Sequence, residues 1–430
     1  MGKWSVVCTE CSSVFDDGPY VCPACGGQLD VRFDPDTIAK AIDGLASSGH
    51  RGMWRYHGFL PVQNPLSVVS LGEGDTPLIR SRLFKERYGM EHVYLKVECQ
   101  SPTGSFKDRQ ASLGVSRLQD DPMSGCLTAS CGNAGAAAAA YCARAGRRLF
   151  VLASDDISDA KLEQILFYGG HVIKVPTCSP GSDPMGLYRI VNEVCSIAGL
   201  SPLVTAHYSN PYVGEANKTI AYETCIKLGK CAPDHVFAPI GGGGLLAGMW
   251  KGFVEFRDHE VTASSPRMVA VQPEGCPSLL NAWRLGLTHV PAVEVTTKIS
   301  GVSLSWPLDG VAALSAVHES EGSVVTASDE EIIHATGLLG RYEGLFAEPA
   351  GAVSVAGLVR SVETGEVSRS DRVICLITGA GWKSPLSLRA ADDESRRRVS
   401  VVPAQASRDA HYVGDLLKNL IKQGGDGLGV

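Results

Sequence analysis

The stretch HVFAPIGGGGLLAGMWKGF, residues 235–253, reads as three pieces in a row. HVFAPI (235–240) is a short apolar run of strand length, Gly241, Gly242, Gly243 and Gly244 follow, and LLAGMWKGF reads as the start of a helix. A strand that feeds a helix through a glycine turn is the unit from which α/β sheets are built. Four glycines let the backbone bend sharply, and the amides at the helix start form a cradle suited to phosphate. The loop is not a Walker loop, because no Gly-Lys-Ser/Thr follows, and it lacks the GxGxxG spacing of a dinucleotide fold. A purely steric turn is the competing reading.

Outward from this stretch the unit recurs. HVYLKV (92–97), GCLTAS (125–130), RLFVLA (148–153), HVIKVP (171–176), RMVAVQ (267–272) and RVICLIT (372–378) are further strand-like runs separated by helix-length segments. Such alternation implies a doubly wound, mainly parallel sheet, with ligands at the carboxyl ends of its strands. Two more unusual loops fall at such ends. Ser130-Cys131-Gly132-Asn133-Ala134-Gly135 opens into the alanine-rich AAAAAYCARAG, and the unpaired amides of that helix start suit a carboxylate. Asn133 acting only as a helix N-cap is the plainer alternative. The third loop, Thr378-Gly379-Ala380-Gly381-Trp382-Lys383, offers a hydroxyl that either donates to a ring nitrogen or closes a turn. Lys107, in SPTGSFKDR (101–109), sits at a loop-to-helix junction. Alone it reads as a solvated charge; beside a carboxylate loop, a phosphate cradle and a ring-nitrogen donor it becomes the candidate for covalent chemistry.

The first 30 residues carry a separate signal. Cys8-x2-Cys11 and Cys22-x2-Cys25, ten residues apart, place four thiolates around one tetrahedral centre, and Gly26-Gly27 allows the tight turn. Four protein ligands leave no open position, so the expected zinc is structural. A redox pair is the weaker reading, because the motif is doubled and no βαβ unit surrounds it. Only Lys3 precedes Cys8 and no basic residue lies between the cysteines, so a nucleic-acid ribbon is not expected.

At 430 residues the chain exceeds one ordinary core, so two or three domains are expected. A net charge of -7 supplies no basic excess for nucleic acid or anionic membrane. The N-terminus lacks the apolar run of a signal peptide, and no stretch of about 18 apolar residues occurs, so a cytoplasmic protein without a membrane partner is expected. Of 14 cysteines, ten are scattered singly through apolar segments, as reduced core thiols are. After about residue 390 the chain reads as a polar linker, a short helix near 411–422 and a frayed end.

SFKDR (105–109), SCGNAG (130–135), EPAGA (348–352) and TGAGWK (378–383), with WRYHGFLPV (54–62) and GEGDTPL (72–78) upstream, together resemble the fold-type II pyridoxal phosphate enzymes. Within that group, which holds threonine dehydratase, cysteine synthase and the tryptophan synthase β subunit, the chain is most similar to the threonine synthases over roughly residues 1–390. The resemblance implies a tryptophan synthase β-like α/β fold of two doubly wound open sheets. Residues 1–32 would be the zinc ribbon and 33–390 the catalytic core, with a smaller subdomain at about 110–185 inserted in the larger; 391–430 would be a polar extension. It also implies a homodimer and pyridoxal 5'-phosphate bound covalently by Lys107. Asn133 would contact the cofactor's 3-oxygen, Gly241 to Gly244 its phosphate and Thr378 its pyridine nitrogen. Ser130, Cys131, Gly132, Asn133 and Ala134 would take the carboxylate of an amino-acid substrate.

A neutral Thr378 at the ring nitrogen does not stabilise a pyridinium, which suits elimination and replacement better than transamination. The implied activity is therefore a lyase acting on an amino acid with a β or γ leaving group, as in the conversion of O-phosphohomoserine to threonine. Four residues or segments depart from the threonine synthase pattern: Val213 stands where an arginine grips the substrate phosphate, Cys131 where a hydroxyl is usual, Gln110 where a glycine is common, and the GGGG loop looks more like the dehydratases. Serine/threonine dehydratase activity and β-replacement with another nucleophile are the alternatives. A scaffold retained only for binding would be expected to have lost some of these cofactor residues.

Overall fold

The computed structural model describes residues 4–45, 48–119, 123, 125–130, 132–154, 157–175, 186–384 and 415. Three sheets organise them. An antiparallel sheet in the order β2-β1-β3 is formed by β1 (Trp4–Cys8), β2 (Val14–Phe15) and β3 (Leu29–Phe33). The next two strands, β4 (Leu78–Arg80) and β5 (Val93–Lys96), belong to a six-stranded sheet. The chain then leaves for a second sheet of β6 (Gly125–Ala129), β7 (Arg148–Ser154), β8 (His171–Val175) and β9 (Ser201–Pro202), in the order β8-β7-β6-β9 and parallel throughout. It returns to the six-stranded sheet with β10 (His235–Pro239), β11 (Arg267–Pro273), β12 (Ser323–Ala327) and β13 (Val373–Leu376), giving the order β12-β11-β10-β13-β5-β4. All neighbours there are parallel except the edge strand β4, which runs antiparallel to β5.

All seven strands expected from the sequence are present. Parallel strands covered on both faces read as unbroken apolar runs, and every residue of β6, β10 and β13 is buried. Alternate residues serve opposite layers. Phe237, Val269 and Cys375 pack under the helices Asp329–Leu338 and Pro349–Glu363, whereas Val236, Ala238 and Ile374 face Gly244–Asp258 and Gly310–Glu319. In the smaller sheet Cys126 and Val151 meet the alanine-rich helix Asn133–Arg144, and Leu127 and Leu152 pack with Val191 and Cys195 of Gly186–Ala198. Because β9 pairs with β6, the smaller sheet extends to Pro202. The strands the sequence did not announce, β4, β9 and β12, are short or lie at sheet edges.

No described cysteine forms a disulfide, and Cys99, Cys126, Cys142, Cys195, Cys225, Cys276 and Cys375 are buried; Cys231 is exposed. Among the described residues no helix is long and apolar enough to cross a membrane. The helix expected near 411–422 lies outside the described residues apart from the helical Asp415.

Candidate active site

Lys107 is the first residue of the helix Lys107–Arg117, and its placement follows from its neighbours in SFKDR. Ser105 bridges to Gly379, and the Phe106 amide donates to the Thr378 carbonyl at 3.1 Å, stitching the loop to the end of β13. Asp108 turns back to accept from the Thr103 amide (2.7 Å) and hydroxyl (2.6 Å). Arg109 drops into the core, where it forks onto Glu98 (2.9 and 2.8 Å) and Glu223 (2.6 and 2.9 Å); Lys96 donates to Glu223 at 2.6 Å. Two cations thus match two anions at full burial. With both neighbours so committed, the half-buried Lys107 extends its amine to Gln110 Oε1 (2.8 Å) and Thr205 Oγ1 (3.2 Å).

From Thr205 a chain of contacts returns to Lys107 and passes through all three loops. The amides of His207 and Tyr208 donate to the Asp309 carboxylate at 3.1 and 2.7 Å, and the Asp309 amide donates to the Gly242 carbonyl at 2.7 Å. Gly243 has φ +94, and a Cβ there would lie 2.8 Å from the Asp309 carbonyl. A Cβ on Gly241 would lie 2.5 Å from the Gly301 carbonyl. The glycines are needed because Asp309 and Gly301 press against this loop. Next to Gly301, Ser300 Oγ accepts from Lys161 Nζ at 3.4 Å, and that ammonium lies 3.6 Å from Glu348 Oε2. Glu348 Oε1 accepts from Asn133 Nδ2 at 2.5 Å, and the Glu348 amide donates to the Gly379 carbonyl at 2.9 Å, beside Thr378. The buried Thr378 hydroxyl reaches the Ala350 carbonyl at 3.4 Å.

The asparagine loop is capped differently from the plain reading. Gly132 is the N-cap residue and Asn133 the first helical residue, while Ser130 Oγ accepts from the amides of Gly135 (2.8 Å) and Gly132 (3.2 Å). Asn133 as the capping side chain is therefore corrected: a hydroxyl two residues before Gly132 takes that task, and the amide side chain turns to Glu348. Cys131 lies outside the described residues. Val213 is fully buried, with Cγ1 3.1 Å from the place a Cβ on Gly114 would occupy, and it offers no donor.

Burial pushes the Lys107 amine down to about 8, against the pull of Asp309 in the other direction. Burial likewise raises Asp309, opposed by His207, by the two amides it accepts from and by Lys107. Asp108 is pushed up to about 7 by burial in spite of its Thr103 bonds. Lys383, which donates to Gln164 Oε1 at 2.7 Å, is brought down to about 8 by burial, with Glu348 and Asp108 acting the other way.

These residues fit a pyridoxal phosphate. The lysine is an amine of lowered basicity, the glycine loop opens a helix with its amides forward, and two buried acceptors of the circuit, Asn133 Oδ1 and Glu348 Oε2, have no hydrogen-bond partner. Five members of the circuit were given no role from the sequence: Gln110, Lys161, Thr205, Asp309 and Glu348. Gln110 was visible only as a departure, and Glu348 only as part of EPAGA. The other three lie in stretches with no motif, and only the fold brings them in.

In the N-terminal sheet the ligand atoms of Cys8, Cys11, Cys22 and Cys25 all lie within 4.8 Å of one another. Cys8 to Cys25 and Cys11 to Cys22 are each 3.6 Å apart, near the roughly 3.8 Å edge of a tetrahedron with zinc–sulfur bonds of about 2.3 Å. The donor set fits a closed structural zinc.

A family model described as pyridoxal-phosphate dependent enzyme matches residues 69–379, and the chain belongs to that family. It is 34% identical over 418 residues to the threonine synthase of Methanocaldococcus jannaschii, covering 96% of this chain and 99% of that one. It is 36% identical over 364 residues to the threonine synthase of Halalkalibacterium halodurans, covering 84% and 96%. The chain is a pyridoxal-phosphate-dependent lyase of the threonine synthase type. Among solved structures it shares its fold with threonine deaminase isoform 2 from Solanum lycopersicum (TM-score 0.62, 21% identity, 81% of this chain and 85% of that one). It shares it also with O-ureido-L-serine synthase (TM-score 0.59, 22% identity, 80% and 99%).

Proposed function

We propose that the enzyme removes a leaving group from the β or γ carbon of an amino acid, with O-phosphohomoserine plus water giving threonine plus phosphate as the first reaction to test. The observation that supports it is the contact circuit that begins and ends on Lys107 and takes in Asn133, the glycine loop and Thr378. In this reading Lys107 holds the cofactor covalently, Gly241 to Gly244 cradle its phosphate, Asn133 faces its 3-oxygen and Thr378 its ring nitrogen. Ser130 to Ala134 receive the substrate carboxylate. Bound there, the cofactor supplies a sink for the electron pair left when the Cα proton departs. Lys107 Nζ, released when substrate takes its place, accepts that proton and carries protons to and from the neighbouring carbons. Its lowered basicity keeps enough free amine near neutral pH for this exchange. Gln110 and Thr205, bonded to the amine, set its direction. The leaving oxygen departs with the electron pair of its bond to carbon, and water supplies the hydroxyl of the product.

The finer features belong to the same proposal. The chain divides into a zinc ribbon (1–32), a catalytic core (33–390) and a polar extension (391–430), works in the cytoplasm and pairs as a homodimer. The buried, unpaired thiols support the reducing compartment. A dehydratase-type reaction on a non-phosphorylated substrate is the second reading. It is favoured by Val213, which is buried and without a donor, and by the Asp309 carboxylate beside the glycine loop, where negative charge opposes a phosphate.

The test is steady-state turnover. Phosphate release matched by threonine formation from O-phospho-L-homoserine supports the first reading, and 2-oxo acid from L-threonine or L-serine the second. Loss of the cofactor's absorbance band in Lys107→Ala is expected in both. A purified protein with no such band sinks the enzyme assignment at this site.

A further inference from the structure

Lys161 is a buried cation whose partners are too far away. It lies on the helix Asp159–Phe167 and is only 1% exposed, yet its ammonium reaches Ser300 Oγ at 3.4 Å and Glu348 Oε2 at 3.6 Å. Other buried lysines of this protein close tightly. Lys96 meets Glu223 at 2.6 Å, and Lys218 meets Glu215 at 2.7 Å. A buried charge without close hydrogen bonds is costly, so a loose one beside a ligand site points to a missing anion. Glu348 Oε2, the acceptor facing it, is itself without a hydrogen bond, so the pair is not a finished ion pair.

The location says which anion. A Cβ on Gly132 would lie 3.6 Å from Lys161 Nζ, so the ammonium stands over the asparagine loop. Ser130 Oγ takes the amides of Gly132 and Gly135. That leaves the amides of Asn133 and Ala134, at the open start of the helix, as the donors nearest to Lys161. Two amides and an ammonium make a three-donor site for a carboxylate. We infer that Lys161 binds the α-carboxylate of the substrate, supplying as a charge the hydrogen bond that a hydroxyl at position 131 would otherwise give. Lys383, on the far side of the same helix through Gln164, adds positive potential behind it.

The inference rests on the lyase reading. The holoenzyme is titrated with L-threonine, L-threoninamide and O-phospho-L-homoserine, reading dissociation constants from the cofactor absorbance rather than from turnover. Lys161→Gln is expected to weaken L-threonine and O-phospho-L-homoserine alike, by about 10- to 100-fold as for one hydrogen bond to a charged group. L-threoninamide, which has no carboxylate, should change by less than about threefold, and Lys161→Arg should keep most of the affinity for the acids. Lys161→Met serves as the second variant should the glutamine not fold. Equal losses for acid and amide overturn the inference, and so does a loss confined to the phosphorylated compound, since Lys161 would then serve the leaving group. So too does an unaltered enzyme that binds the amide as tightly as the acid, with no variant needed. An unaltered enzyme with no spectral response to any amino acid overturns the lyase reading as well; a response without acid preference overturns only the role of Lys161.

Discussion

In the cofactor-free protein Lys107 should react with pyridoxal phosphate as an amine that is substantially neutral near pH 8. Its basicity falls from 10.5 to about 8 because burial penalises the ammonium, and only Asp309 works against the fall. A lysine with a depressed value is neutral above that value, so reactivity must climb with pH up to about 8 and level off beyond. At pH 7 roughly one molecule in ten carries the free amine, against about one in 3,000 for an ordinary lysine, which is about a 300-fold gain. The assay is stopped-flow formation of the covalent absorbance band between pH 7 and 10, a window above the titration of the cofactor phosphate at about 6. The rate should rise about tenfold per unit at first and bend near pH 8. Asp309→Asn removes the carboxylate that props the value up, so its bend should move to lower pH. A rate still climbing past pH 9.5, or a bend that Asp309→Asn moves upward, refutes this account of the amine.

Two other perturbations probe what holds the site in place. Arg109→Met leaves the buried Glu98 and Glu223 with Lys96 as their only cation, and should cost about 3–5 kcal/mol in denaturant-induced unfolding; a loss under about 1 kcal/mol would show that the fork is not needed. The second concerns the ribbon. Metal analysis should find one zinc per chain, lost in Cys8→Ser, and limited proteolysis should then cut first within residues 9–28, because for such a site metal binding is also folding free energy. Metal-free protein with unchanged protease resistance would contradict a structural zinc.

The layers of this fold were legible because parallel strands buried on both faces leave long apolar runs. β6, β10 and β13 stand out for that reason, and each ends in one of the three glycine loops. β12 reads SVVTA with only three buried residues at the sheet edge, and β9 is two residues long, so neither leaves such a run. The site was legible where backbone conformation demanded glycine or where covalent chemistry demanded lysine. It was not legible where a residue acts through burial alone. Asp309 precedes a helix as any capping aspartate would, and its link to the glycine loop exists only because His207 and Tyr208, a hundred residues earlier, present their amides to it. Lys161 looks like a surface lysine in DAKLEQ until the helix packs it against Glu348.

The segment from His207 to Val213 shows why the departure at position 213 need not be read as loss of a site. The N-terminal sheet docks on this segment. His207 Nε2 lies 2.9 Å from the Leu29 carbonyl, the Gly18 amide donates to Tyr212 Oη at 2.8 Å, and Lys251 ties Asp30 (2.8 Å) to Glu215 (2.7 Å). Arg117, at the end of the helix that begins with Lys107, stacks 3.5 Å over the Tyr212 ring and binds Asp17 at 2.6 Å. The ribbon therefore holds both the helix carrying the reactive amine and the segment whose amides fix Asp309. Val213 fills the seam between that segment and the helix, against Gly114. An arginine packed into the same seam would bury a guanidinium against Gly114 and Leu203, which offer it no acceptor side chain. Position 213 answers here to packing, and selectivity has to come from the side chains that ring the cofactor: Asp309 on the glycine-loop side, Lys161 and Glu348 on the other.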